Sequence, residues 1–155
     1  MKKGILILLI IFMSCSKNVK NSKNDMVQKP ENWIEYKTKD SIPELLSSVL
    51  KEINKKDSKI ADFNGKFEAT DVISNDTLPR KQLRFLARKS TDWRLSYIQG
   101  GFGKHYVYIE CKIERDSIYD FKIANSIFKL ENNDTIDKLL NDKKITLNEI
   151  KIRTE

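Results

Sequence analysis

Read for the alternation of apolar and polar positions, the chain falls into three unequal parts. Ile5 to Met13 is an unbroken apolar run of nine residues behind Lys2-Lys3. As a helix, nine residues reach about 13.5 Å. That is less than half of a hydrocarbon core of about 30 Å, so the run does not span a bilayer by itself. A positive start, a short apolar run and a small residue after it are the marks of a secretory leader. Between Ser16 and Asn24 one residue in nine is apolar, Val19. With no face to bury, the stretch predicts neither helix nor strand, and residues 15–32 read as a flexible basic tether. Pro30 closes the tether, and Trp33, Ile34 and Tyr36 open a folded part over 33–155.

Within that part the spacing predicts a helix from Ser41. Ser41 and Glu44 form a capping-box pair, Pro43 lies in the first turn, and Leu45, Leu46, Val49, Leu50 and Ile53 follow at helical intervals before Lys55-Lys56. Phe63, Gly65, Phe67 and Ala69 alternate with polar residues and predict a half-buried strand. A second helix is expected to open at Asp76-Thr77 with Pro79 in its first turn. Strands follow. Trp93, Leu95 and Tyr97 alternate with Arg94 and Ser96, and Gly100-Gly101-Phe102-Gly103 makes a reversal. His105, Val107, Ile109, Cys111 and Ile113 then point one way, and Tyr106, Tyr108, Glu110 and Lys112 the other. After a turn at Glu114–Ser117, Tyr119, Phe121 and Ile123 continue the sheet. Ile127 to Leu130 suggests a further strand, Asp134 to Leu140 a short helix, and Ile145 to Ile152 a last strand.

The order is helix, strand, helix and then an antiparallel β-meander. The fold class is therefore α+β, a single antiparallel sheet with helices packed on one face. This order loosely resembles the cone-shaped fold of the nuclear transport factor two family. The resemblance implies a small-ligand-binding or enzymatic domain, with a pocket near Trp93, Tyr97 and His105.

Composition narrows the class. The 155 residues carry 29 Lys plus Arg against 22 Asp plus Glu, a formal charge of +7. Apolar residues make up 39 % and charged residues 33 %, too polar for a polytopic membrane protein. With 14 aromatics (2 Trp, 5 Tyr, 7 Phe) the chain is too apolar for complete disorder. Two cysteines and one histidine argue against a disulfide scaffold and against a multi-histidine or four-cysteine metal site.

The end of the leader is more specific than its start. Phe12-Met13-Ser14-Cys15 resembles the lipobox of a bacterial lipoprotein signal, which ends in a small residue and then cysteine. Ser14 and Cys15 match, while Phe12 stands where Leu, Ile or Val is usual. The resemblance implies removal of residues 1–14, a diacylglycerol thioether on Cys15 and an acyl chain on its new amine, with no other cofactor. Two or more chains give stable anchoring, each buried methylene contributing about 0.8 kcal/mol. Removing two lysines and no acids leaves 27 − 22 = +5 on the mature chain. Ser16 in place of Asp at the second mature position implies, by the same resemblance, the outer membrane facing the periplasm in a bacterium with two membranes.

Candidate chemistry in the folded part is sparse. Gly100 to Lys104 fails as a phosphate loop, because His105 follows the lysine and a strand follows the glycines. His105 and Cys111, six residues apart on one strand face, are separated by roughly 20 Å and form no dyad. Cys111 reads as a small buried hydrophobe. On the expected second helix, Arg80, Arg84 and Arg88 recur every four residues with Lys81 beside them, a basic stripe for an acidic protein, glycan or phospholipid headgroup. The plain alternative is a solvated face. Tyr106, Tyr108 and His105 make a second candidate contact surface beside the glycine turn. No nucleic-acid recognition motif is present. The sequence thus reads as a non-enzymatic binding module of the bacterial envelope, for example a small inhibitor or immunity-type protein.

Overall fold

A computed structural model of the chain describes residues 32–54, 58–71, 77–101 and 103–152. The leader, Cys15 and most of the tether lie outside the described residues, as do Lys55-Lys56 and Asn75-Asp76.

Four long strands form an antiparallel meander: β3 (Lys81–Lys89), β4 (Asp92–Gln99), β5 (His105–Glu114) and β6 (Ser117–Ser126). Short strands complete a seven-stranded sheet. β1 (Ile34–Glu35) pairs antiparallel and β2 (Ile60–Ala61) parallel with opposite ends of β3, and β7 (Asn148–Glu149) pairs with β6. Among the described residues two α-helices accompany the sheet, α1 (Glu44–Asn54) and α2 (Asn133–Asn141). The α+β class and the single sheet are as expected.

The helices do not share a face. Leu46, Val49 and Leu50 of α1 pack on Leu83, Leu86, Trp93, Leu95, Tyr97, Val107, Ile109, Cys111, Ile118 and Phe121, which form face one. Ile136 and Leu139 of α2, with Leu130 and Ile145, pack on Phe85, Ala87, Ile98, Tyr106 and Tyr108, which form face two. The meander is therefore apolar on both sides, and one helix covers each.

The expected second helix is strand β3. Its apolar residues mimic helical spacing because Arg84 is an extra residue in a β-bulge: Leu83 pairs with Tyr97 and Phe85 with Ser96. The insertion reverses the facing of every residue after it. Leu83 and Leu86, three apart, consequently share face one, while Phe85 and Ala87 take face two. A second bulge in β6, around Asp120 with φ 48°, acts likewise. Ile118, Phe121 and Ile123 line face one, and Tyr119 is turned out to solvent instead of joining them.

Four other expectations change. The alternating stretch from Phe63 to Ala69 is not a strand, because the chain there rounds the edge of β3. Phe63 packs on face one and Phe67 on face two, with a turn between in which the Gly65 amide donates to the Asp62 carbonyl at 2.9 Å. Ser41 lies in a 3-10 turn over Lys39–Ser41 capped by Thr38, and α1 starts three residues later. Ile127 to Leu130 bends away from the sheet, and the last strand shrinks to Asn148–Glu149.

The β4–β5 reversal needs its glycines. A Cβ on Gly100 would collide with the Glu68 carbonyl, and Gly101 adopts φ 100° with the Arg80 guanidinium against it. The Gly100 amide donates to the Arg80 carbonyl at 2.7 Å.

Cys111 is 1 % exposed, as its strand phase predicted, and burial pushes its thiol up to about 12. Burial, and then the negative charge of Glu110, also raises the Tyr108 hydroxyl above the usual tyrosine range. Both groups hold protons more tightly folded than unfolded. Their contribution is complete below about pH 9 and is lost as the pH climbs toward about 12. Stability is expected to fall by about 2–3 kcal/mol between pH 9 and 11, read by urea titration, with a shallower fall in Cys111→Ala. A flat profile over that range would contradict the burial of these groups.

Candidate functional site

The arginine stripe was a consequence of reading β3 as a helix. In the strand the cations part company. Arg88 lies toward face one, its guanidinium 5.6 Å from the Trp93 ring centroid and its Nε donating to the Ser90 carbonyl at 2.7 Å. Arg84, in the bulge, turns toward face two, 3.9 Å from the Glu131 carboxylate. Arg80 packs against Gly101, and Lys81 is 2 % exposed. The four residues do not form one surface.

The tyrosine surface also turns inward. Tyr106 and Tyr108 are buried on face two beneath α2. The Tyr106 hydroxyl donates to Glu131 at 3.1 Å and the Tyr108 hydroxyl to Glu110 at 2.9 Å. Burial, then the hydrogen bond to Glu131, raises the Tyr106 hydroxyl too. His105 stays at the strand end, Nδ1 2.6 Å from the Gly103 carbonyl oxygen. Trp93 and Tyr97 belong to the face-one core, with Tyr36 stacked on Trp93 at 5.6 Å. Two surface hollows are described, of about 580 Å³ beside α1 (Asp40, Ile42, Glu44, Leu50, Ser58) and about 540 Å³ at the β5–β6 turn (Glu114 to Ser117, Tyr119). Neither is lined by Trp93, Tyr97 or His105.

A polar grouping lies between face two and α2. Arg94, in the middle of the meander and 8 % exposed, bonds Asp137 at 2.8 Å and Asn133 at 3.0 Å, both from the first half of α2. On its other side the guanidinium lies 4.3 Å from the Trp33 ring centroid. One cation thereby ties the start of the domain, the sheet and α2 together. The alternation sets Arg94 opposite Trp93, Leu95 and Tyr97 on β4, and α2 covers that side. Ser96, next on the same face, donates through Oγ to the Leu130 carbonyl, which fixes the segment leading into α2.

That segment carries Ile127, the most exposed large apolar side chain among the described residues, with exposed Phe128 beside it. Ile127 is 84 % and Phe128 41 % exposed. The Ser126 hydroxyl accepts from the Phe128 amide at 2.9 Å and turns the chain there. Lys129 follows, and Lys144 Nζ lies 5.9 Å from the centroid of the Phe128 ring. The sequence signal was two apolar neighbours, which break the alternation of β6 just before a lysine.

Among the described residues no group of three or more His, Cys, Asp and Glu side chains is placed to hold a metal ion. None of the described helices is long and apolar enough to cross a membrane. Compared with family models, with curated proteins and with solved structures, the chain finds no match. The nuclear transport factor two resemblance thus rests on element order alone, and the described order differs by one helix.

Asp137→Ala strips Arg94 of its ionic partner in a largely dry site. It is expected to lower stability by about 1–2 kcal/mol in urea titration, discounted from a fully buried pair because Asp137 is half exposed. A change below about 0.3 kcal/mol would remove Arg94 as the tie between sheet and helix.

Proposed function

We propose that the chain is a bacterial envelope lipoprotein, anchored through acyl chains on Cys15, whose α+β domain acts as a binding module. The observation that carries this reading is Phe12-Met13-Ser14-Cys15 directly after an apolar run too short to span a bilayer. The chain that follows Cys15 is consistent with it, since residues 16–32 are polar and basic and a compact domain begins after them.

The binding role is supported by where the domain spends its reactive side chains. Cys111, Tyr106, Tyr108 and Arg94 are engaged in holding the two faces closed. What faces outward among the described residues is a mixed charged surface, with Lys129, Lys143 and Lys144 exposed at one end, on a chain of mature charge +5. Such a surface suits an acidic protein, an acidic glycan or phospholipid headgroups.

Cys15→Ser is expected to move the protein from the membrane fraction to the soluble fraction of its native bacterium, and to remove the lipid increment from its intact mass. Tight retention of the variant, or a wild-type mass with the leader attached and no lipid, would overturn the reading.

A further inference from the structure

We infer that the Ile127-Phe128 tip and its lysines form a second, reversible contact with an anionic lipid surface, so that the domain docks on the membrane to which its tether ties it. This rests on the lipoprotein reading for the tether.

The tip is held out by its own framework. Ser126 is the last residue of β6 to pair with β5, opposite Tyr106. Its hydroxyl bonds the Phe128 amide, and two residues further on the Leu130 carbonyl is fixed by Ser96. Leu130 is fully buried, so Ile127, Phe128 and Lys129 project between two pinned ends. An isoleucine 84 % exposed beside a phenylalanine 41 % exposed is an apolar point with no protein neighbour to cover most of it.

The charge around the point is positive, and the end of α2 sets it there. The Lys144 amide donates to the Leu139 carbonyl at 2.9 Å and the Lys143 amide to the Leu140 carbonyl at 3.0 Å, with Lys143 at φ 55°. This is a Schellman ending, with lysine where glycine is usual. It brings Lys144 over the Phe128 ring. With Lys129 there are three exposed lysines; of the neighbouring acids, Glu131 is engaged by Tyr106 and Arg84, and Asp142 remains exposed. Apolar side chains flanked by Lys129 and Lys144 match a membrane interface: the ring and branched chain enter the headgroup boundary while the ammonium groups meet anionic lipid.

The tether permits the geometry. Residues 15–33 can reach at most about 60 Å. β1 starts at the far end of β3 from the β4–β5 turn, and a ten-residue strand such as β6 is about 33 Å long. The chain is long enough to let the opposite end of the sheet, where the tip stands, face the same membrane as Cys15.

The test places an environment-sensitive dye at Ile127→Cys in the full chain purified from its membrane and reconstituted into vesicles. Cys111 is buried with its thiol held protonated, so the dye goes to the new cysteine. Tyr119→Cys, seven residues before Ser126 and about 23 Å along β6, is the control position. On vesicles of phosphatidylcholine with 30 % phosphatidylglycerol, dye at 127 is expected to shift to the blue and be quenched by brominated lipid. Dye at 119 stays in water. Lys129→Glu with Lys144→Glu is expected to weaken the shift at least about fivefold per lysine, as is 0.5 M salt to a lesser degree. Dye at 127 that stays in water while the protein floats with anionic vesicles would overturn the docking. So would a shift that appears equally on neutral vesicles and grows with protein concentration, which marks a second copy of the chain on the patch. Failure of the wild-type chain to float, with no lipid on Cys15, sinks the anchor separately. The labelled Cys15→Ser chain then decides the tip alone: a blue shift on the same anionic vesicles at low salt supports it, and no shift overturns it.

Discussion

A meander whose strands carry apolar side chains on both faces cannot be stable in water until both faces are covered. That constraint organises the domain. Leu83, Leu86, Leu95 and Ile109 require α1, and Phe85, Ile98 and Tyr108 require α2. Fully burying each such side chain contributes roughly 1.5–3 kcal/mol, so neither helix is dispensable. The short pieces follow from the same need. β1, β2 and the turn from Asp62 to Gly65 close the open edge of β3, and β7 covers part of the edge of β6, which limits the unpaired backbone left for other chains.

Two-sided burial also sets the electrostatics. Arg94 and Glu110 face the side that α2 covers, so each needs a partner: Arg94 takes Asp137 and Asn133, and Glu110 accepts from the Tyr108 hydroxyl. These polar contacts fix the position of α2 on a surface that apolar packing alone would leave free to slide. The outward chemistry of the domain is then left to its ends, and the lysines beside Phe128 lie at one of them.

Much of this was legible in the residues. The alternation of Trp93, Leu95 and Tyr97, and of Val107, Ile109 and Cys111, gave β4 and β5 their faces, and Gly100 to Gly103 gave their reversal. Asp134 to Leu140 marked α2, though its start at Asn133 rests on a cap by Asn132. What failed has one physical root. Period-two reading assumes one wet face and an uninterrupted pleat. At Arg84 and near Asp120 an inserted residue reverses the facing, so Leu83 and Leu86 mimicked a helix turn and aligned three arginines that the strand separates. On face two nothing near Arg94 and Ser96 in the sequence signals their burial, because the helix that covers them lies nearly 40 residues away. The tip at Ile127-Phe128 was read as strand, since exposure is not written in two apolar letters.

All of this requires Lys81–Lys89 to be a bulged strand between two covered faces. Nuclear Overhauser contacts of the backbone across β3 and β4 test it most directly. Contacts are expected between Leu83 and Tyr97 and between Phe85 and Ser96, with Arg84 opposite no residue of its own. Consecutive amide contacts with i to i+3 connectivities from Arg80 through Arg88, and none to β4, would contradict it.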